Sequence, residues 1–227
     1  MLQLTPSDLS PYIDHTLLKP EARPEDIRAL CLEARQYGFA SVCVNSGYVP
    51  LAKKYLQDST VKVCSVVGFP LGAMASKIKQ EETAWAVANG ATEIDMVIAV
   101  GRLKAQELDT VHEDIASVYR SCGSAASLKV ILETSLLSDE EKLTACMICK
   151  EIGVAFVKTS TGFAGGGATV EDVALMRAAV GETIKVKAAG GIRGFADACA
   201  LIEAGASRLG TSSGVALVQG AKESDGY

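Results

Sequence analysis

Residues 93–133 read EIDMVIAVGRLKAQELDTVHEDIASVYRSCGSAASLKVILE, and their reading decides the fold. A short apolar run at 93–99 is followed by a segment with helical periodicity at 104–121, and then by a second apolar run at 128–133. A strand, a crossover helix and a second strand make a parallel unit with a right-handed connection. The same alternation extends in both directions. Strands are expected at 12–17, 40–45, 61–67, 93–99, 128–133, 155–159, 184–189 and 207–210. Helices are expected near 24–37, 47–56, 75–89, 104–121, 139–152, 170–179, 195–203 and 213–219. Pro24 suits a first helical position. Ser138 with Glu141, and Thr169 with Asp172, have capping-box spacing. Gly38, Gly90, Gly153 and Gly205 stand where helices would end in a left-handed residue. Eight such units predict an α/β chain closed as a (β/α)8 TIM barrel, in a single domain over 1–221. A short N-terminal helix following Thr5-Pro6-Ser7-Asp8 would plug one end, and 222–227 read as a flexible tail. The rival is an open doubly wound sheet, but no GxGxxG turn follows the first strand.

Composition narrows the function. The 227 residues carry a net charge of −5, and no cluster of Lys and Arg offers a nucleic-acid footprint. The N-terminus lacks a secretory signal, and no run approaches the roughly 20 apolar residues of a membrane helix. Seven scattered cysteines in such a chain read as free thiols of a reducing cytoplasm. Cys146 and Cys149 have CxxC spacing, but helix packing explains them better than redox chemistry. With only His15 and His112, a His-rich zinc site is not expected, so no metal or cofactor is predicted.

Charges inside strands that should be apolar need a reason, because removing a charge from water is costly unless it is paired. Asp95 lies among Ile94, Met96, Val97 and Ile98; Lys158 follows Phe156-Val157; Lys187 lies between Val186 and Ala188. All three fall near the C-terminal halves of expected strands four, six and seven, where barrel active sites lie. A free lysine, with a pKa of about 10.4, is ammonium at neutral pH, so nucleophilic attack on a carbonyl needs an environment that disfavours the proton. Two buried lysines beside an aspartate could supply a nucleophile, its activator and a proton shuttle. Spacing alone leaves open which lysine attacks. Lys129 and Lys185 are read as structural or rim lysines. Asp14, Thr16 and Glu133 are candidates to support the reacting groups from around the site. His15 should pack on the opposite side from Asp14. Cys43 and Asn45 share a parity and would border the pocket, Cys43 rather as a core thiol.

Two glycine-rich turns follow the last strands: Ala189-Gly190-Gly191-Ile192 and Gly210-Thr211-Ser212-Ser213-Gly214. Glycine admits an anion close to the backbone, and helix N-termini present free N–H groups. At these two positions a phosphate seat is expected, with Ser212 and Ser213 adding hydroxyls. The 162–167 stretch GFAGGG fits either a phosphate contact or a mobile lid.

The segments DHTLL (14–18), GFPLG (68–72), EIDMVI (93–98), VKTSTGF (157–163), VKAAGGIR (186–193) and GTSSG (210–214) together resemble the deoxyribose-phosphate aldolase family, in order over almost the whole chain. The resemblance implies a metal-independent barrel that reversibly cleaves 2-deoxy-D-ribose 5-phosphate to D-glyceraldehyde 3-phosphate and acetaldehyde. It also implies Lys158 as the Schiff-base lysine, Lys187 as the second lysine that depresses its pKa, and Asp95 as the proton donor or acceptor. Gly162, Gly190, Gly191, Gly210, Ser212 and Ser213 match the family's phosphate-contacting region. Some relatives have a lysine where this chain has Phe163, and some end in a tyrosine that reaches the site, the position of Tyr227. Expected partners are therefore a sugar phosphate and acetaldehyde, with no nucleic acid or membrane. A homo-oligomer is compatible with the resemblance, although the sequence carries no interface signature. The alternatives are another Schiff-base barrel aldolase acting on a different sugar phosphate, a metal-dependent aldolase, and a non-catalytic sugar-phosphate sensor.

Overall fold

The computed structural model describes residues 4–220, so the expected tail at 222–227, with Tyr227, lies outside the described residues. Eight parallel strands close into one barrel in sequence order: β1 (Ile13–Leu17), β2 (Ser41–Val44), β3 (Lys62–Val67), β4 (Glu93–Val97), β5 (Ser127–Ile131), β6 (Phe156–Lys158), β7 (Lys185–Ala189) and β8 (Ala206–Thr211). Closure pairs β8 with β1, so the described sheet has no open edge, and the doubly wound alternative is excluded.

The helices are α1 (Pro24–Tyr37), α2 (Val49–Leu56), α3 (Ser76–Ala88), α4 (Val100–Lys104), α5 (Leu108–Cys122), α6 (Asp139–Ile152), α7 (Val170–Val180), α8 (Phe195–Glu203) and α9 (Gly214–Val218), all but α9 lying between consecutive strands. Their ends follow local chemistry. Ser138 accepts the Glu141 N–H at 3.2 Å and Thr169 accepts the Asp172 N–H at 3.0 Å, which satisfies donors left free in the first turn. Gly38 and Gly153 are left-handed caps of α1 and α6. The helix expected at 104–121 is α5, and the short α4 that precedes it was not expected. The two are separated where Gln106 adopts φ 58°, a backbone angle that a continuing helix does not allow. The N-terminal helix is a 3-10 segment, Pro6–Tyr12, opened by Thr5 and Asp8, and it packs on β8 and α9 at the end away from the strand C-termini.

One large apolar core joins barrel and helices, and a small satellite of Leu18, Cys43, Cys64 and Val66 lies inside β1–β3. His15 is buried as expected, with Nε2 2.7 Å from Glu33 and its ring edge-on to Phe39. All seven cysteines are free thiols, and burial pushes Cys146 up to about 12, which argues against redox use of the CxxC pair.

Candidate active site

Parallel register brings the expected residues together. Asp95 on β4 is opposite Lys129 on β5, and Lys158 on β6 is opposite Lys187 on β7. Because alternate residues face the same side, these side chains point into the barrel and meet near its axis. Asp95 Oδ2 lies 2.8 Å from Lys158 Nζ and 2.7 Å from Lys187 Nζ. The three residues that looked anomalous as isolated charges thus form one ionic cluster.

Beneath them the cluster continues. Lys129, read from the sequence as a structural or rim lysine, is fully buried at its centre and not at a rim. Its Nζ is 2.8 Å from Asp95 Oδ1 and 2.6 Å from Glu93. Asp14 is 2.5 Å from Lys187 and 2.6 Å from Arg208, and Arg208 also pairs with Glu93. Glu93 and Arg208 were missed by sequence reasoning. Glu93 shares its parity with Asp95, a signal that could have flagged it. Lys185, in contrast, is exposed at the barrel's lower rim, its ammonium 5.6 Å from the Phe156 ring centre.

The electrostatics follow from this packing. Burial pushes the Asp95 carboxyl up, but Lys129, Lys158 and Lys187 outweigh it and hold the acid well below the usual range. Burial likewise pushes Lys187 down, yet Asp14 and Asp95 overcome it and keep the ammonium charged. Lys129 is raised in the same way, by Asp95, Glu93 and Asp14 among others. Asp14, Glu93 and Asp95 balance Lys129, Lys187 and Arg208 in charge. Lys158 is therefore the cation in excess, and it has a single carboxylate partner. Glu93 has one further partner, Lys62, which is half exposed and screened by solvent.

Lys158 also differs in access. It lines a cavity of about 740 Å³ at the C-terminal mouth, whereas Asp95, Lys187 and Lys129 lie beneath it. All of the expected phosphate residues, Gly162, Gly190, Gly191, Gly210, Ser212 and Ser213, line that same cavity, as does Thr16. Thr161 and Arg193 line it as well, although the sequence reading did not single them out. Two glycines have specific tasks here. Gly190 takes φ 84°, and a Cβ on it would lie 3.1 Å from Gly167 Cα. A Cβ on Gly210 would be 3.0 Å from Lys187 Cε, so this position makes room for the buried lysine as well as facing the cavity.

The 162–167 stretch is docked rather than standing open as a lid. A Cβ on Gly167 would fall 2.5 Å from Gly190 O, and Ala168 N–H donates to that carbonyl at 3.0 Å. Asn45 does not border the cavity; its amide donates to Leu18 O at 3.2 Å. Cys43 is a buried core thiol next to the lysine cluster. A bond with Cys64 lowers its pKa against the opposing effect of burial. Cys43, Cys64 and Asp95 have ligating atoms within 4.8 Å of one another, but Asp95 is already engaged by three ammonium groups.

Fold and site together define a (β/α)8-barrel enzyme with a buried lysine–carboxylate cluster under a glycine-walled cavity. The model of the DeoC/LacD family aldolases matches residues 10–220, and the chain belongs to that family. Among similar proteins, a deoxyribose-phosphate aldolase of Brevibacillus brevis is 57% identical over 215 residues, covering 95% of this chain and 97% of that one. One from Bdellovibrio bacteriovorus is 55% identical over 219 residues, covering 96% and 99%. A solved tetrameric deoxyribose phosphate aldolase from Aeropyrum pernix superposes with a TM-score of 0.88 at 34% identity, covering 95% of this chain and 91% of that chain.

Proposed function

We propose that the protein reversibly cleaves 2-deoxy-D-ribose 5-phosphate to D-glyceraldehyde 3-phosphate and acetaldehyde through a Schiff base on Lys158. The observation that carries the assignment of the nucleophile is the position of Lys158. It is the one amine of the cluster that lines the cavity, and its proton is the one in excess of the balanced charges. Giving up that proton leaves the buried network neutral. Lys187 and Lys129 cannot do the same without stranding carboxylates.

In the proposed reaction, uncharged Lys158 Nζ adds to the C1 aldehyde of the open-chain sugar, and loss of water gives an iminium. The iminium draws electrons from C2 as the C2–C3 bond breaks. The C3 hydroxyl loses its proton, glyceraldehyde 3-phosphate departs, and an acetaldehyde enamine remains on Lys158. Protonation at C2 and hydrolysis return the free amine. Asp95 and Lys187, acting with water, are the groups placed to move these protons. Gly162, Gly190, Gly191, Gly210, Ser212 and Ser213 hold the phosphate, with Arg193 as a cation on the same wall. Binding so far from the reacting carbons orients the chain for attack. Asp14 and Thr16 act around this centre, Asp14 by fixing Lys187. Tyr227 as a further contact belongs to the proposal on sequence grounds alone, as does the 222–227 tail.

Sodium borohydride added with acetaldehyde tests the reading. A stable mass increase on the peptide containing Lys158 is expected, and a label confined to another lysine would reassign the nucleophile. Comparing acetaldehyde with dihydroxyacetone and pyruvate as donors separates this activity from that of a barrel aldolase with another substrate. Turnover that is insensitive to chelators is expected, since no step uses a metal or cofactor. Location in a reducing cytoplasm is supported by seven free thiols, and no described helix is long and apolar enough to cross a membrane. Self-association is supported by the tetrameric relative and is read out by light scattering.

A further inference from the structure

Glu133, immediately beyond β5, has an unusual combination of features. It is one of two described non-glycine residues with positive φ (59°), a strained conformation that persists only where the surroundings enforce it. The residue is 2% exposed and does not line the cavity. Among the described residues, its carboxylate hydrogen bonds all go to one residue of the next loop. Thr161 N–H donates to Oε1 at 3.2 Å and to Oε2 at 3.3 Å, and the Thr161 hydroxyl donates to Oε2.

Thr161 passes this restraint on. Its Oγ accepts the Phe163 N–H at 3.0 Å, which closes the turn around Gly162. The neighbouring residues of the two loops are joined as well: Thr134 N–H donates to Thr159 O at 3.0 Å, and a Cβ on Gly166 would collide with Ser135 Cβ. The far side of the same loop is seated on Gly190 through Gly167 and Ala168. A buried carboxylate is costly to leave without donors, so the bonds from the Thr161 N–H and hydroxyl hold the turn while they satisfy the acid.

We infer that Glu133 is a positioning residue: by clamping Thr161 it keeps the Gly162 turn in register with Gly190 and Gly191, and so sets the preference for a phosphorylated over an unphosphorylated sugar. This rests on the proposed aldolase reading, since the preference is defined for that substrate. Glu133 touches neither the cavity nor the lysine cluster, so its influence falls on the phosphate end and not on imine formation.

The test compares wild type, Glu133→Gln, Thr161→Val and the double variant. Gln keeps an acceptor for the Thr161 N–H but loses one for its hydroxyl, whereas Val removes the hydroxyl and keeps the shape. The readout is the ratio of kcat/KM for 2-deoxyribose 5-phosphate to that for 2-deoxyribose. Each single variant is expected to lower the ratio about tenfold, and the double variant no further than the worse single, because both act through one contact. Lys158 trapping by acetaldehyde in Glu133→Gln should fall far less than the ratio. An unchanged ratio in folded Thr161→Val, or multiplicative effects in the double variant, overturns the inference. Failure of wild-type Lys158 to trap acetaldehyde would instead overturn the proposed function, so the two failures are distinguishable.

Discussion

Replacing Asp95 with Asn tests the charge balance at the centre of the barrel. The carboxylate receives Lys129 at 2.8 Å on one oxygen, and Lys158 at 2.8 Å and Lys187 at 2.7 Å on the other. Asn keeps the shape but removes the only charge these three ammonium groups share. Lys187 retains Asp14 and Lys129 retains Glu93, but the buried cluster is left with an extra positive charge even when Lys158 is neutral. Breaking a buried ionic contact on one side costs about 3–5 kcal/mol. At roughly 2–4 °C per kcal/mol for a chain of this size, the melting temperature should fall by about 6–20 °C. Turnover should drop by about two to four orders of magnitude, the range for losing a positioned proton-transfer group. Lys158 should still be trapped by acetaldehyde and borohydride, since it keeps its place on the cavity wall. The decisive assay adds Lys129→Met to Asp95→Asn, which removes one cation along with the lost anion. Thermal denaturation should show the double variant recovering a substantial part of the lost stability without recovering activity. A double variant no more stable than Asp95→Asn alone would falsify the electroneutrality argument.

Two further outcomes follow from the same geometry. Gly210→Ala places a methyl group 3.0 Å from both Lys187 Cε and Ala189 Cβ, so it should displace the lysine from Asp95. A loss of kcat of about tenfold or more is expected, as for a small misplacement of catalytic groups; an effect confined to KM would instead assign Gly210 to phosphate binding alone. Asp14, Glu93 and Asp95 are all lowered, so the stability they confer is present above the unfolded carboxylate range near pH 4 and is lost as pH falls through their lower folded values. Lys129 and Lys187 are raised, so their contribution is complete below about pH 10 and is lost only above it. The gap in melting temperature between wild type and Asp95→Asn should therefore stay flat across neutral pH and narrow in acid, and a gap that widens in acid contradicts the assignment.

Much of this could be read along the chain. Apolar runs separated by helical segments located all eight strands, because each strand's burial is written into its own residues. Pro24, Ser138 and Thr169 located helix starts for the same local reason. The break at Gln106 was not legible, since a left-handed residue other than glycine leaves no compositional mark. Asp95, Lys158 and Lys187 stood out because a charge in an apolar strand is conspicuous by itself. Lys129 is equally conspicuous, but the sequence does not separate it from a structural or rim lysine, because its importance depends on Asp95 across the ladder. Glu93 and Arg208 sit at strand positions where a charge could have been solvated, so they drew no attention.

The kinds of groups available to the site were therefore determined by the sequence alone: two lysines and an aspartate in strands meant to be dry, with glycine turns after the last two strands. Which amine is spare was decided only by the closed barrel. Parallel register set Asp95 against Lys129 and Lys158 against Lys187, and closure brought Asp14 and Arg208 from the far end of the chain to complete the balance. Electrostatic pairing depends on distances of a few ångströms between residues remote in sequence, and no local pattern encodes such distances.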